Sequence, residues 1–410
     1  MISYNSVLRS LSCLVMFVIL AGASANADEK LDTITIKNNG PAASDVPLRL
    51  ILDREIKPGV YSLLQTSKDE RIPQGTLSVE VEGPGKSVAW GVFASLNEGE
   101  NTFTLDPIDT KIVHRAIAFD GGKEELTIRI HDKLFTTYRI NEGPKPFFFP
   151  LIGVDGLRYS RAYPMQTIVG EDSDHPHQRS LWFTYGLVNG VDFWSEAKGH
   201  GSITETTRKY EGSGYVQQVL RTTNDWLDAN GKKLLEDERI MTIWGTKDKR
   251  VLDFDVTLKA SAGPVEFGDT KEGMFGIRVP SSMDVKAKKG GKITNAEGLE
   301  DAATWGKRSA WVDYSGPVDD KTIGITILEH PESFGHPTPW HVRDYGLFAA
   351  NPFGKHDFGL TKEPTPTRLE AGKSLRFRYR VALHPGDVKA ASPKALYGFY
   401  AHPPTVEVNK

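Results

Sequence analysis

Leu252-Asp253-Phe254-Asp255-Val256-Thr257-Leu258 alternates apolar and polar side chains through seven consecutive positions. A helix needs apolar residues every three or four positions. A period of two instead predicts a strand with one buried face and one polar face. Ser374-Leu375-Arg376-Phe377-Arg378-Tyr379-Arg380-Val381-Ala382 extends the pattern, and Leu126–Ile130, Phe135–Ile140 and Ile323–Leu328 share its strand character. His131-Asp132-Lys133 reads as the hairpin turn between Leu126–Ile130 and Phe135–Ile140. Upstream, Thr33–Ile36, Leu48–Ile51, Leu77–Val81 and Thr102–Leu105 are short strands punctuated by Asn38-Asn39-Gly40-Pro41, Lys57-Pro58-Gly59 and Gly83-Pro84-Gly85. Helical patterns are few, with a short one over Pro393–His402. The chain therefore reads as all-β, with a small N-terminal β-sandwich over 28–110. A large antiparallel two-sheet domain follows over 111–400, then a C-terminal tail over 401–410.

The first residues bear on compartment. Arg9, the apolar run Leu11–Ala23 and the small-residue site Ala25-Asn26-Ala27 have the layout of a secretory signal peptide spanning 1–27. The apolar run is short for a membrane span. The chain is expected in the periplasm or outside the cell, free of the membrane once cleaved. Cys13 is the only cysteine and falls in this leader, so the mature chain has no disulfide, thiolate metal site or thiol nucleophile. A net charge of -3 without a basic stripe argues against nucleic acid. Walker, dinucleotide-binding and G-x-S-x-G motifs are absent, so nucleotide-dependent hydride transfer and serine hydrolysis have no signature here. Nothing in the sequence bears on oligomeric state.

Two clusters carry candidate chemistry. In the first, Asp174-His175-Pro176-His177-Gln178-Arg179 runs into Trp182, then Asn189-Gly190-Val191-Asp192-Phe193-Trp194. Proline biases its predecessor toward extended geometry, which predicts that His175 and His177 point to one side. Such a pair suits either two nitrogen ligands of a metal or an acid–base group beside a hydrogen-bond donor. Asn189-Gly190 predicts a tight hairpin that presents Asp192 and Trp194 on its outgoing strand. Trp182 and Trp194 offer flat apolar faces for a sugar ring, or simply pack in the core. The second cluster holds His336, Trp340, His341 and Arg343, with Arg343 offering planar donors to a carboxylate or vicinal hydroxyls. Between them, Lys271 and Glu272 sit in a glycine-flanked segment, with Glu272 as a carboxylate partner for the histidines and Lys271 as a counter-charge. The central expectation is that both clusters meet in one site.

Phe149-Pro150-Leu151, Asp174-His175-Pro176-His177 and Asn189-Gly190-Val191-Asp192-Phe193-Trp194 resemble the PmoA-like family of secreted bacterial proteins. So do Gly268–Gly273 and Trp340–Gly354. The resemblance covers about 145–385. Gln178 departs from it, standing where many members carry a further histidine, which weakens a metal site built there. The family carries a methane oxygenase label, and its setting implies a part in carbohydrate utilisation. The arrangement is also similar, more distantly, to the galactose mutarotase superfamily. That similarity implies a supersandwich with histidines and a glutamate around a sugar.

Together these readings predict an exported enzyme that cleaves or modifies a glycoside or sugar, resembling a glycoside hydrolase or lyase. His175, His177, Glu272 and His341 would do the acid–base work. Arg179, Trp182, Asp192, Trp194, Lys271, His336, Trp340 and Arg343 would hold a sugar or oligosaccharide. No cofactor is required, although a divalent metal at His175, His177 and His341 stays open. The rival functions are a non-catalytic carbohydrate-binding protein and a metal-dependent sugar lyase or epimerase.

Overall fold

The structure, a computed structural model, describes residues 31–67 and 70–409. The leader assigned to 1–27 lies outside them. Among the described residues no helix is long and apolar enough to cross a membrane.

The strand Arg250–Lys259 behaves as its alternation demands. Leu252, Phe254, Val256 and Leu258 are at most 2% exposed, while Asp253, Asp255 and Thr257 are half-buried on the other face. It lies inside an eight-stranded antiparallel sheet, next to Ser374–Pro385. A second eight-stranded sheet runs in the order Trp340–Val342, Leu347–Ala350, Gly273–Arg278, Leu181–Tyr185, Phe147–Phe148, Lys133–Arg139, Glu125–Ile130 and Ile117–Gly121. The two sheets pack face to face as a supersandwich. Phe183 of one sheet lies 6.0 Å from Phe254 and 6.4 Å from Phe377 of the other, centroid to centroid. Each such fully buried ring contributes roughly 1.5–3 kcal/mol relative to exposure, and the row of them fixes which face of each strand looks inward.

The N-terminal strands form one seven-stranded antiparallel sheet. Its edge strands, Ala43–Leu52 and Thr405–Asn409, come into contact, so the sheet wraps around a core that includes Ile34, Ile36, Leu48, Leu63, Phe93 and Phe103. The segment 401–410, read above as a tail, supplies that last strand. Thr405–Asn409 pairs with Thr33–Asn38, and Val406 and Val408 pack against this core. Two valines at a spacing of two are enough to bury one side of so short a strand. The helix Pro393–Ala401 leads the chain back to it and buries Phe399 in the same core.

The face of the second sheet that points away from the sandwich core positions the site. Phe147, Trp182, Gly276, Ala349 and His341 stand in register as one row across it. Gly276 is required there, because a Cβ would lie 2.9 Å from the Trp182 ring that rests on it. Trp340 and Val342, one residue either side of His341, point into the sandwich core instead.

Candidate functional site

A cavity of about 340 Å³ opens over this face. Its walls include His175, His177, Gln178, Asp192, Trp194, Glu272 and Tyr345. The long connection between Phe148 and Leu181 brings in the histidines. Connections of this length without regular structure are uncommon and often functional.

His175–Gln178 is a turn, not an extended segment. The Gln178 N–H donates to the His175 carbonyl at 2.9 Å, and His175 has a φ of +49°. Proline suits the second position of such a turn, and histidine is among the residues enriched at positive φ, so turn chemistry overrides the extended bias before proline. The two imidazoles still converge, with centroids 5.8 Å apart at 71°. The His175 ring stacks on Tyr345 at 5.2 Å, with the planes 5° apart. His177 sits 6.2 Å from Trp194, and Trp194 sits 5.3 Å from Trp182 below it.

Buried charge pins the turn to the sheet. Asp174 Oδ1 accepts from Arg161 at 2.8 Å and from Arg278 at 2.7 Å. Those arginines are 0% and 1% exposed in their side chains. Arg161 also holds Asp284, and Arg278 donates to Gln178. Burial works to raise Asp174, but Arg278, His175 and Arg161 outweigh it and hold the carboxyl at about 2. Behind the opposite wall, Glu196 accepts from Arg179 at 3.0 and 2.8 Å and from the buried Lys145.

Burial, with Lys145 and His175 adding to it, pushes His177 down to about 4. It is therefore neutral near pH 7 and offers a lone pair to the cavity. Asp192 is committed elsewhere: its carboxylate accepts from the Trp194 and Ser195 N–H groups, at 2.7 and 3.0 Å, and from the Ser195 hydroxyl. Glu272 lies 3.1 Å from Lys271 at the cavity edge. His341 donates from Nδ1 to the Lys271 carbonyl at 2.8 Å, and its buried Nε2 has no partner. Burial holds His341 at about 3.

The expected meeting of the two clusters occurs, but through other side chains. Of the expected residues, His175, His177, Asp192, Trp194 and Glu272 line the cavity, while Trp182 is buried outside its lining and packs against Trp194. Tyr345 comes from the downstream cluster in place of His341, which is sealed at 1% exposure against Phe358. Trp340 is buried on the core side of its strand, packed on Phe348. His336 pairs with the buried Glu329 at 2.8 Å, away from the cavity. Arg179 is taken up by Glu196, and Arg343 is outside the cavity lining, its guanidinium carbon 5.3 Å from the Tyr345 ring centroid and 5.7 Å from that of Trp305. Tyr345, Arg161 and Arg278 were not picked out from the sequence. Tyr345 stands within the quoted downstream motif, and a lone tyrosine there gives no signal of its own. His175, His177 and His341, the trio considered for a divalent ion, do not form a common ligand set: among the described residues no group of three or more His, Cys, Asp or Glu side chains is placed to hold a metal.

A larger cavity of about 620 Å³ lies between the N-terminal sheet and the outer face of the other large sheet. Its arginines are occupied: Arg376 and Arg378 pair with Asp255, and Arg380 pairs with Asp253. It too holds a depressed imidazole, His330, and aromatic walls, but Arg378 engages His330 at 3.2 Å, whereas the His177 ring makes no hydrogen bond among the described residues, so the smaller cavity is the candidate site.

The histidines give this site a sign in acid. His177 and His341 have depressed values in the fold, so between about pH 6.5 and their folded values the unfolded chain binds more protons. Stability is then expected to fall as pH drops from 6.5 toward 4, opposed in part by Asp284 and Glu329, which burial raises. Asp174 and Glu196, held at about 2, add their own loss only below pH 4. Denaturant melts across pH 4–7 check this, and His341→Gln should flatten the slope. A slope unchanged in that variant would show that His341 does not contribute.

Among solved structures, the chain is similar to an Enterococcus faecalis protein in glycosyl hydrolase family 38, at 11% identity and a TM-score of 0.39, covering 93% of this chain and 48% of that one. An α-galactosidase from Lactobacillus brevis is similar at 9% identity and a TM-score of 0.35, covering 68% of this chain and 41% of that one. A galactose mutarotase-like protein from Lactobacillus casei is similar at 11% identity and a TM-score of 0.28, covering 65% of this chain and 100% of that one. The chain spans about half the length of the first of these. At such identities and TM-scores no argument rests on them. No curated protein matches the chain in sequence. Residues 125–397, which carry every wall of the cavity, match a family of unknown function, DUF6807, and the chain belongs to that family.

Proposed function

We propose that the cavity binds a sugar ring and that the protein is an exported carbohydrate-active enzyme, using His177 as general base and Glu272 as its carboxylate partner. The observation that carries this reading is a neutral imidazole and a carboxylate in one cavity walled by Trp194 and Tyr345. Trp194, itself only 1% exposed, and Tyr345, with one face stacked on His175, give the cavity apolar surface that suits the C–H groups of a pyranose, and an imidazole unprotonated at neutral pH is ready to take a proton. Hydrolysis by two flanking carboxylates fits less well, because Asp192 spends its oxygens on Trp194 and Ser195. Proton abstraction and return at a sugar carbon, as in elimination or epimerisation, needs only the imidazole and one acid. Kinship with the PmoA-like family belongs to this proposal for the carbohydrate setting it implies. Placement in the periplasm or outside the cell rests on the leader reading of 1–27.

The test is a panel of mono- and oligosaccharides, neutral, oxidised and acidic, including 3-keto-glycosides. Products are read by mass and binding by quenching of tryptophan fluorescence. The expected result is a mass change or isomer for at least one sugar, with quenching lost in Trp194→Ala. Binding without any product leaves a carbohydrate-binding protein in place of an enzyme. Neither binding nor product across the panel removes the proposal.

A further inference from the structure

The cations around the cavity are paired with acids, with one exception. Arg161 and Arg278 hold Asp174, Arg179 and Lys145 hold Glu196, Lys271 holds Glu272, and Lys286 holds Asp172. Arg343 forms no ion pair and donates no side-chain hydrogen bond among the described residues. Its guanidinium lies 5.7 Å from the Trp305 ring centroid and 5.3 Å from that of Tyr345, the ring that lines the cavity. The residue is half-buried, yet none of its nitrogens is among the sealed atoms without a partner, so its donors keep access to solvent.

Cation–π contact with two rings helps to place the arginine here, on a Tyr345 ring that Arg278 and Lys286 also approach at 5.1 and 6.0 Å. It does not occupy the N–H edge. A guanidinium carries five donors in one plane, matched to the two oxygens of a planar oxyanion. Placed beside two rings, with no protein acceptor at its edge, the group is free to meet a ligand. A neutral sugar would leave its charge without a counterpart. An anionic one would supply it.

On this basis, and resting on the sugar-binding reading above, we infer that Arg343, which adjoins the cavity through Tyr345 without being one of its lining residues, is an oxyanion subsite at its margin and that the sugar bound there carries a negative group. A ring carboxylate, as in a uronide, fits the fork, and a sulfate ester shares the chemistry. Tyr345 links the subsite to His175 and the rest of the cavity, since His175 stacks on the same ring.

The experiment compares binding of three matched probes by calorimetry: methyl glucoside, methyl glucuronide and glucose 6-sulfate. Wild type is expected to bind at least one anionic probe about tenfold to a hundredfold more tightly than the neutral one. The better anionic probe identifies carboxylate or sulfate as the partner. Arg343→Gln should reduce that preference by about tenfold or more. Arg343→Lys, which keeps the charge without the fork, should retain part of it. Circular dichroism melts of both variants confirm folding, and the lysine variant decides the outcome if glutamine unfolds. Equal binding of all three probes, or a preference unchanged in both variants, overturns the subsite and leaves the sugar reading standing. If none of the three binds, the subsite stands only where an acidic sugar of the wider panel binds and loses affinity in Arg343→Gln and is overturned where only neutral sugars bind, and no binding anywhere sinks both.

Discussion

Replacing Asp174 with alanine is expected to lower folding stability by about 3 kcal/mol, near the low end of the range for breaking a buried ion pair. Arg161 and Arg278 are both shut off from water, and Asp174 is the carboxylate they share. Without it, Arg278 keeps only the neutral Gln178 as a side-chain acceptor, while Arg161 still has Asp284. Asp174 is itself about a third exposed, and Arg161 keeps its second partner, which is why the loss stays at the low end. Asp174→Asn should recover part of it, since an amide oxygen accepts a hydrogen bond but carries no charge. Urea unfolding of the two variants beside wild type measures this. A loss below about 1 kcal/mol in the alanine variant would mean that Asp284 and Gln178 suffice to balance the two guanidinium groups. The same change should loosen the His175 turn, so ligand binding is expected to weaken along with stability.

Replacing His177 with glutamine should do the opposite, sparing the fold and removing turnover. The side chain is only half-buried and makes no hydrogen bond within the protein that the fold depends on. Loss of a general base typically costs 10²–10⁴-fold in rate, so kcat on the sugar found by the panel is expected to fall by about that factor. KM should change little, because glutamine still fills the wall beside Trp194. Wild-type rate should hold through neutral pH and decline as pH falls through about 4, where His177 takes up its proton. That limb must be read over the interval in which melts show the protein folded. A variant that keeps its rate, or one that loses affinity and rate equally, would assign His177 to binding and not to proton transfer.

Much of the fold can be read from the chain because strands announce themselves by spacing. Arg250–Lys259 and Ser374–Pro385 show inward and outward residues in the order their side chains dictate. Asn189-Gly190 makes its two-residue turn, pairing Val188 with Val191. The site is harder for a reason visible in Trp340-His341-Val342. Alternation separates the tryptophan from the histidine but does not say which face is core. Trp340 fell to the core and His341 to the outer face, where neighbouring chain seals it. Arg179 shows a second limit. Its partner Glu196 is near in sequence, yet nothing local predicts that a bidentate ion pair forms there in place of an open donor. Arg161 lies only 13 positions from Asp174, but Arg278 reaches Asp174 across 104 positions and Arg161 reaches Asp284 across 123, so the anchor as a whole has no local mark.

The pairing of Thr33–Asn38 with Thr405–Asn409 ties together two stretches of chain that are far apart in sequence. The smaller module is therefore not a detachable piece of chain. A fragment stopping after the first hundred residues would bare a hydrogen-bonding edge along Thr33–Asn38 and unseat Val406 and Val408. A fragment starting at the larger module would carry an orphaned strand with nothing to zip against. Each half is finished only by the other, so synthesis must reach Thr405–Asn409 before Thr33–Asn38 gains its second partner strand.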